Sequence, residues 1–587
     1  MFLIKIKNAH SHTQKMSCKV IYFYHKEVNM ILKIVVAVVI LIILMTSAES
    51  KSFHTVDFQT FRVVMNDHER ENQWQNGTGP LVNKEFQNSL NEITNSQVDN
   101  DNKAMLLING MMSFKVRYQL IEKAKKSIII SLLSIHKSGS RFSPEIRDLH
   151  TKRLVDSLIK ARQRGVKVFV IYDGISSFMR KSQKVIDQLR SEKIEVIKYN
   201  PYISQNSDFL GFYPLDILNV LRKIFFFSNL KKQSLILNRW HDKTILVDSR
   251  YAIIGGINWG KVYAEGNSYN ASDYSFIEFL NSPLSQALKL NEVYPPNHGW
   301  GQFNHKGWRD TDILLHGPVV LNIQERLIKD FLAIRMSMKR KLYRFQYVQE
   351  PIIENVEREF REQYEGNPVW LPDPEDVSPT GPSYQIRYMA QRPFLYMNRE
   401  KDKKLIKIAR AKKLLINESS PNTYISNYYL NVINNAKKQI LWGSFSLGPD
   451  DQILNALLDA SKRGVKIHII TNSKETSKTL GDKGIFTYRR NKISYESILS
   501  SSKGKIRIFE WQAKIIKDGK QLSSGAFHSK GMEVDGVLSI IGSYNISNSS
   551  FHNHSESVAV VISPQFSKYT QAMFQNDLKY TKEVKLK

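Results

Sequence analysis

Apolar and polar positions along the chain run through one pattern twice. A helix end passing into an unbroken apolar stretch appears at Ala124-Lys125-Lys126-Ser127-Ile128-Ile129-Ile130-Ser131 and again at Ala436-Lys437-Lys438-Gln439-Ile440-Leu441-Trp442-Gly443. A helix closed by glycine and followed by a second apolar run appears at Ala161-Arg162-Gln163-Arg164-Gly165-Val166-Lys167-Val168 and at Ala460-Ser461-Lys462-Arg463-Gly464-Val465-Lys466-Ile467; glycine in that place suits a helix C-terminus. Ile194 to Tyr199 and Ile506 to Trp511 add a third run to each round. A shorter alternation follows at Lys243, Ile245 and Val247, then Tyr251 to Ile254. Strand, helix, strand, helix, strand and a further strand, repeated, predict an α/β architecture built from an internal duplication.

A chain of 587 residues is too long for one core and suits two domains. Residues 105–350 form the first and 394–587 the second, with a helix from Val320 to Tyr343 closing the first. Glu-Gly-Asn-Pro, Leu-Pro-Asp-Pro and Thr-Gly-Pro break the pattern between Pro351 and Pro393 and predict a Pro-rich linker over 351–393. Residues 49–104 show little periodicity and are expected to form a loosely structured lead-in. Within the extension 1–48, Ile34 to Met45 is an apolar run of 12 residues between Lys33 and Thr46-Ser47-Ala48. That is short for a membrane span and fits a secretory signal if translation starts at Met30, or an uncleaved anchor if it starts at Met1. Either way the globular part is expected to be exported, in the periplasm or cell envelope.

Charge narrows the partners. With 84 basic and 55 acidic residues the net charge is +29, which implies an anionic partner, nucleic acid or acidic membrane. Leu221-Arg222-Lys223-Ile224-Phe225-Phe226-Phe227 with Leu230-Lys231-Lys232 interleaves aromatics and lysines, as a surface dipping into lipid head groups would, and equally as a buried helix with a basic edge. A single cysteine, Cys18, excludes a disulfide framework and a thiolate metal site. His552 and His554 read as a solvated loop, since no carboxylate or cysteine stands at ligand spacing; no metal or cofactor is expected.

The chemistry is concentrated in one motif that also occurs twice. His241-Asp242-Lys243 to Asp248 and His528-Ser529-Lys530 to Asp535 both read His-x-Lys-x4-Asp, and six residues after each come Gly255-Gly256-Ile257-Asn258 and Gly542-Ser543-Tyr544-Asn545. If the motif is strand, His241 and Lys243 share a face, as do His528 and Lys530. Two such pairs facing one another surround a small anion with two imidazoles, two ammonium groups and the amides of Asn258 and Asn545. Phosphodiester exchange needs that set: one histidine attacks phosphorus, the other moves protons, and the cations and amides neutralise the phosphoryl oxygens. Asp248 and Asp535 either orient the site or hold the strand-turn in place.

The paired motif resembles the phospholipase D superfamily over most of residues 105–580. Trp308-Arg309-Asp310-Thr311 with Gly317-Pro318 makes the first half similar to the cardiolipin synthase branch, and Glu556 precedes Pro564 by the spacing that separates Asp310 from Pro318. The resemblance implies two tandem phospholipase D-like α/β/α sandwich domains with pseudo-twofold symmetry, and His241 and His528 facing across the interface. It implies phosphatidyl transfer through a phosphohistidine, with His241 as nucleophile and His528 as general acid and base. An acid in that place hydrogen-bonds a catalytic histidine, a role expected of Glu556 and, in the first half, of Asp310 with Asp273 as rival. The implied substrate is an anionic phospholipid in a membrane, handled by a monomer, with hydrolysis to phosphatidic acid as the alternative. A nuclease is less favoured, because family nucleases are usually single-motif chains that dimerise; no nucleic acid is expected as partner. Where the family often shows Arg-Ser and then Asn after the second glycine turn, this chain has Ser549-Ser550 and His554.

Overall fold

The structure, a computed structural model, describes residues 79–134, 149–174, 180–199, 239–264, 307–339, 366–373, 381–392, 424–478, 482–512, 525–552 and 554–585, with isolated positions between them. The apolar run at 34–45, the aromatic and lysine stretch at 221–232 and Asp273 lie outside the described residues.

The first round of the duplication runs β1 (Val98–Ile108), α1 (Asn109–Lys123), β2 (Ser127–Leu132), α2 (Leu149–Gln163), β3 (Lys167–Asp173), α3 (Arg180–Ser191), β4 (Glu195–Tyr199), β5 (Thr244–Val247), β6 (Tyr251–Gly255), β7 (Thr311–His316) and α4 (Val319–Lys339). The second runs β8 (Tyr384–Gln391), α5 (Tyr424–Asn435), β9 (Gln439–Gly443), β10 (Leu447–Gly448), α6 (Asp451–Lys462), β11 (Lys466–Asn472), α7 (Asp482–Ser501) and β12 (Ile506–Trp511). It continues through the small hairpin β13 (Ile516–Lys517) and β14 (Lys520–Gln521), then β15 (Gly531–Val534), β16 (Leu538–Gly542), β17 (Ile546–Ser547), β18 (Glu556–Ile562), α8 (Pro564–Leu578) and β19 (Thr581–Glu583). Gly165 and Gly464, expected to close α2 and α6, have φ of 95° and 91°, the left-handed region that ends a helix and that glycine enters without steric penalty.

Both rounds share a single 15-stranded sheet in the order β19-β12-β11-β9-β15-β16-β18-β8-β1-β7-β6-β5-β2-β3-β4. Outward from the central β8–β1 pair, the series β1-β7-β6-β5-β2-β3-β4 is answered by β8-β18-β16-β15-β9-β11-β12, so a pseudo-twofold axis passes between β1 and β8. These two strands are antiparallel, with Val98 opposite Arg387 and Asp99 opposite Ile386. Every residue of β2, β5, β6, β7, β16 and β18 is buried, as expected of strands covered on both faces.

Two segments differ from the sequence expectation. The stretch 351–393, expected to be linker, ends in β8, whose Tyr384, Ile386 and Met389 are buried. The lead-in supplies a helical stretch from Lys84 to Thr94 and then β1. Leu81, Phe86 and Leu90 enter the core of the second half, and the Arg387 guanidinium donates to the carbonyls of Gln87 and Ser96. Neither segment advertises itself, because both strands are rich in polar side chains that find partners only after folding.

The halves are further joined by a buried ion cluster. Arg392, fully buried, donates to Asp330 at 2.9 Å and to Asp242 at 3.1 Å, and its guanidinium lies 4.6 Å from the Trp240 ring centre. Replacing it with methionine removes the guanidinium that two buried carboxylates share, leaving Asp330 with Arg326 and Asp242 with hydroxyl donors alone, at a cost on the order of 3–5 kcal/mol. Urea denaturation of Arg392→Met should show that loss; a change under about 1 kcal/mol would remove the cluster from the account of how the halves are held.

Candidate active site

The backbone leading into each motif pairs with the opposite half. The strands begin only at Thr244 and Gly531, so the histidines and lysines precede them rather than sharing a strand face as expected. Trp240 instead bridges Ser555, and the His241 N–H donates to the Ser555 carbonyl at 2.9 Å. Likewise Arg309 bridges Phe527, and the His528 N–H donates to the Arg309 carbonyl at 2.7 Å. Ser555 and Arg309 each immediately precede an acid, so each histidine is set beside the acid of the other half.

The side chains complete the crossing. His241 Nδ1 lies 2.8 and 2.9 Å from the two oxygens of Glu556, and His528 Nδ1 lies 2.6 Å from Asp310 Oδ2. In each pair the carboxylate accepts a hydrogen bond from Nδ1–H, which leaves the Nε2 lone pair free. Both histidines and both lysines are buried, and Glu556 and Asp310 are fully so. Glu556 also accepts from Ser550 Oγ at 2.9 Å and from Ser543 Oγ. Burial would raise its carboxyl, but its contacts with His241 and His554 more than offset this and hold it below the ordinary range. Burial pushes the His241 imidazole well down against the pull of Glu556, which keeps the ring neutral. Asp310, for which burial outweighs Lys530, is pushed up to about 6.

Lys243 and Lys530 stand in the same field. Burial lowers Lys243 to about 8 and Lys530 to about 7, with Glu556 and Asp310 pulling both back up and Lys243 pushing Lys530 down. Lys243 Nζ donates to the His241 carbonyl at 2.5 Å, and Lys530 Nζ lies 2.9 Å from His528 Nδ1. Two ammonium groups close enough to repel each other between two carboxylates form a pocket that a bound phosphate would stabilise by holding both lysines charged.

The rings beside the histidines follow the twofold. Trp308, two residues before Asp310, lies on His528 with centroids 5.1 Å apart and planes 31° apart; His554, two residues before Glu556, lies on His241 at 5.1 Å and 34°. Tyr263 and Phe445 add two more aromatic contacts to His528, at 5.3 and 4.8 Å. His554 is therefore not a residue of a solvated loop. Tyr263 and Phe445 were not legible as site residues, because they touch the motif only in three dimensions.

The remaining expected residues separate into two groups. Asn258 lies at the site: its amide nitrogen donates to Tyr263 Oη at 3.1 Å, and its oxygen accepts from the Ser134 N–H at 3.3 Å. Asn545 is buried with its amide oxygen unpaired. Asp248 and Asp535 stand at the far end of β5 and β15 from the histidines. Asp248 accepts the backbone N–H groups of Lys125, Lys126 and Ser127 at 2.8–2.9 Å, and Asp535 those of Lys437, Lys438 and Gln439 at 2.7–2.9 Å. Both have positive φ, 53° and 59°. They hold the strand-turn against the strand beside it.

With this geometry, the comparison with known proteins decides the family. Residues 118–272 and 429–578, more than half of the chain, match the family described as "Cardiolipin synthase, PLD-like domain". The chain belongs to this family. It is a phospholipase D superfamily enzyme, a phosphatidyltransferase or phosphodiesterase, with two phospholipase D-like domains in tandem. It is 21% identical over 486 residues to cardiolipin synthase A of Pseudomonas syringae pv. syringae (strain B728a), covering 82% of this chain and 70% of that protein. It is 24% identical over 483 residues to an uncharacterised protein of Helicobacter pylori (strain J99), covering 79% and 77%. Among solved structures, phosphatidylserine synthase of Haemophilus influenzae Rd KW20 aligns at TM-score 0.47 and 10% identity over 85% of this chain and 92% of that one.

The glycine turn before Asn258 is a sensitive test of the crossed pairs. A Cβ on Gly256 would fall 2.1 Å from Asp310 Oδ1, so Gly256→Ala must displace the carboxylate that pairs with His528. Displacement of a catalytic group by about 1 Å is expected to lower turnover on the order of 100-fold. Wild-type turnover by a folded Gly256→Ala protein would show that Asp310 is not where the chemistry needs it.

Proposed function

We propose that the enzyme transfers a phosphatidyl group from one anionic glycerophospholipid to the glycerol hydroxyl of another, as a cardiolipin synthase does. The observation that carries this is the pair of crossed imidazole–carboxylate contacts around two buried lysines, in a chain of the cardiolipin synthase-like family. A neutral His241, its Nδ1–H donating to Glu556, suits attack on phosphorus through Nε2, forming the P–N bond as the P–O bond to the leaving alcohol breaks. His528, protonated, gives its Nε2 proton to that alcohol. It then takes the proton of the incoming hydroxyl, which displaces His241 and restores the enzyme. Lys243, Lys530 and Asn258 lie where negative charge develops on the phosphoryl oxygens. Trp308, Tyr263 and Phe445 around His528 supply an apolar wall on the side where acceptor must be chosen over water.

The net charge of +29 supports an anionic membrane as the partner surface, and the apolar run at 34–45 supports export to the periplasm or envelope, with or without retention as an anchor. Among the described residues no helix is long and apolar enough to cross a membrane. Hydrolysis to phosphatidic acid shares the first half-reaction and differs only in which hydroxyl attacks the phosphohistidine.

Purified protein given phosphatidylglycerol vesicles should release glycerol and form cardiolipin, with EDTA present or absent. Phosphatidic acid without cardiolipin, even with acceptor lipid in excess, would make the enzyme a hydrolase; DNA cleavage without lipid turnover would make it a nuclease. With a substrate carrying a good leaving group, His528→Ala should accumulate phosphate on His241, and label on His528 in the wild type would reverse the two roles.

A further inference from the structure

The twofold is broken at one position next to a reacting residue. Where the first half sets Trp308 on the histidine it serves, the second sets His554 on His241. His554 Nδ1 is shielded from solvent, has no hydrogen-bond partner and lies 3.5 Å from Glu556 Oε1. The ligand atoms of His241, His554 and Glu556 all fall within 4.8 Å of one another. We propose that His241, His554 and Glu556 form a binding site for one Zn2+, and that zinc bound there switches the enzyme off.

Two imidazoles and a carboxylate are a donor set zinc favours, with metal–ligand bonds of about 2.0–2.2 Å that leave tetrahedral ligand atoms roughly 3.3 Å apart. The His554–Glu556 contact is already near that spacing. The His241–Glu556 contact, at 2.9 Å to the same oxygen, has only to open slightly. Zinc takes the place of the proton that His241 Nδ1 shares with Glu556: the N–H bond breaks, the proton leaves to solvent, and Nδ1 binds the metal. Ser550 Oγ, which donates to Glu556 Oε1 at 2.9 Å, orients the carboxylate from behind, as outer partners of metal ligands do. Lys243 and Lys530 oppose a cation here and weaken its binding.

The consequence follows from the position of the metal. A cation on Nδ1 withdraws electron density from Nε2, and Glu556 no longer holds the ring by its proton. Among the described residues His528 has no such neighbour, because the indole of Trp308 is not a ligand, so one ion per chain is expected rather than two. Binding rests on the geometry alone; inhibition also rests on the proposed role of His241.

The test uses the full-length protein stripped with chelator and dialysed. Calorimetric titration with Zn2+ should give one saturable site per chain, and Co2+ in its place should give the intense visible absorption of a low-coordinate nitrogen and oxygen site. His554→Asn and His554→Gln, checked for folding by circular dichroism, should each weaken Zn2+ binding by at least about tenfold. No saturable site, two equivalent sites, or unchanged affinity in both variants would overturn the proposal. Saturating Zn2+ should also suppress wild-type phosphodiester turnover, with EDTA restoring it. Binding that depends on His554 without loss of turnover would keep the metal site and overturn its inhibitory role.

Discussion

Each motif histidine is oriented by a carboxylate from the other half of the molecule, and the rest of the structure is arranged to allow it. Glu556 and Asp310 are fully buried, and a buried carboxylate is tolerable only with partners close at hand. Those partners come from across the twofold: backbone bridges fix Trp240 on Ser555 and Arg309 on Phe527. The crossing demands that β8 and β1 pair at the centre of one sheet. It also demands small residues in the turns after β6 and β16. Gly256 leaves room for Asp310, and Ser543 uses the same place to donate to Glu556.

The same constraint lets the duplicated halves diverge in chemistry. Glu556 is held ionised by its contacts with His241 and His554 and also accepts two serine hydroxyls. Asp310 sits higher, near 6, with Lys530 alongside, and the histidine it pairs with, His528, packs against Trp308, Tyr263 and Phe445. One environment suits a nucleophile, the other a group that passes a proton back and forth. Symmetry of fold is retained while the two electrostatic environments are separated.

The motif pair, the doubled α/β frame and both acids were legible from the chain because they are local patterns: apolar runs, glycine-closed helices, and an acid at fixed distance before a proline. What was not legible depends on long-range pairing. β1 and β8 carry Asp, Asn, Arg and Gln that read as loop or linker until Arg387 and Asn102 find their partners. The roles of Asp248 and Asp535 stayed open because an aspartate accepting three backbone amides looks, in sequence, like one beside a histidine. His554 looked solvated because its ligand-spaced neighbours include His241, more than 300 residues away in the chain.

Selective 13C labelling of histidine in the full-length protein, with His241 and His528 assigned by replacement, tests the crossed pairing directly. Glu556→Gln should lower the titration midpoint of His241 and leave that of His528 in place, while Asp310→Asn should perturb His528 and leave His241 nearly unchanged. The opposite pattern, with each acid governing the histidine of its own half, would contradict the account.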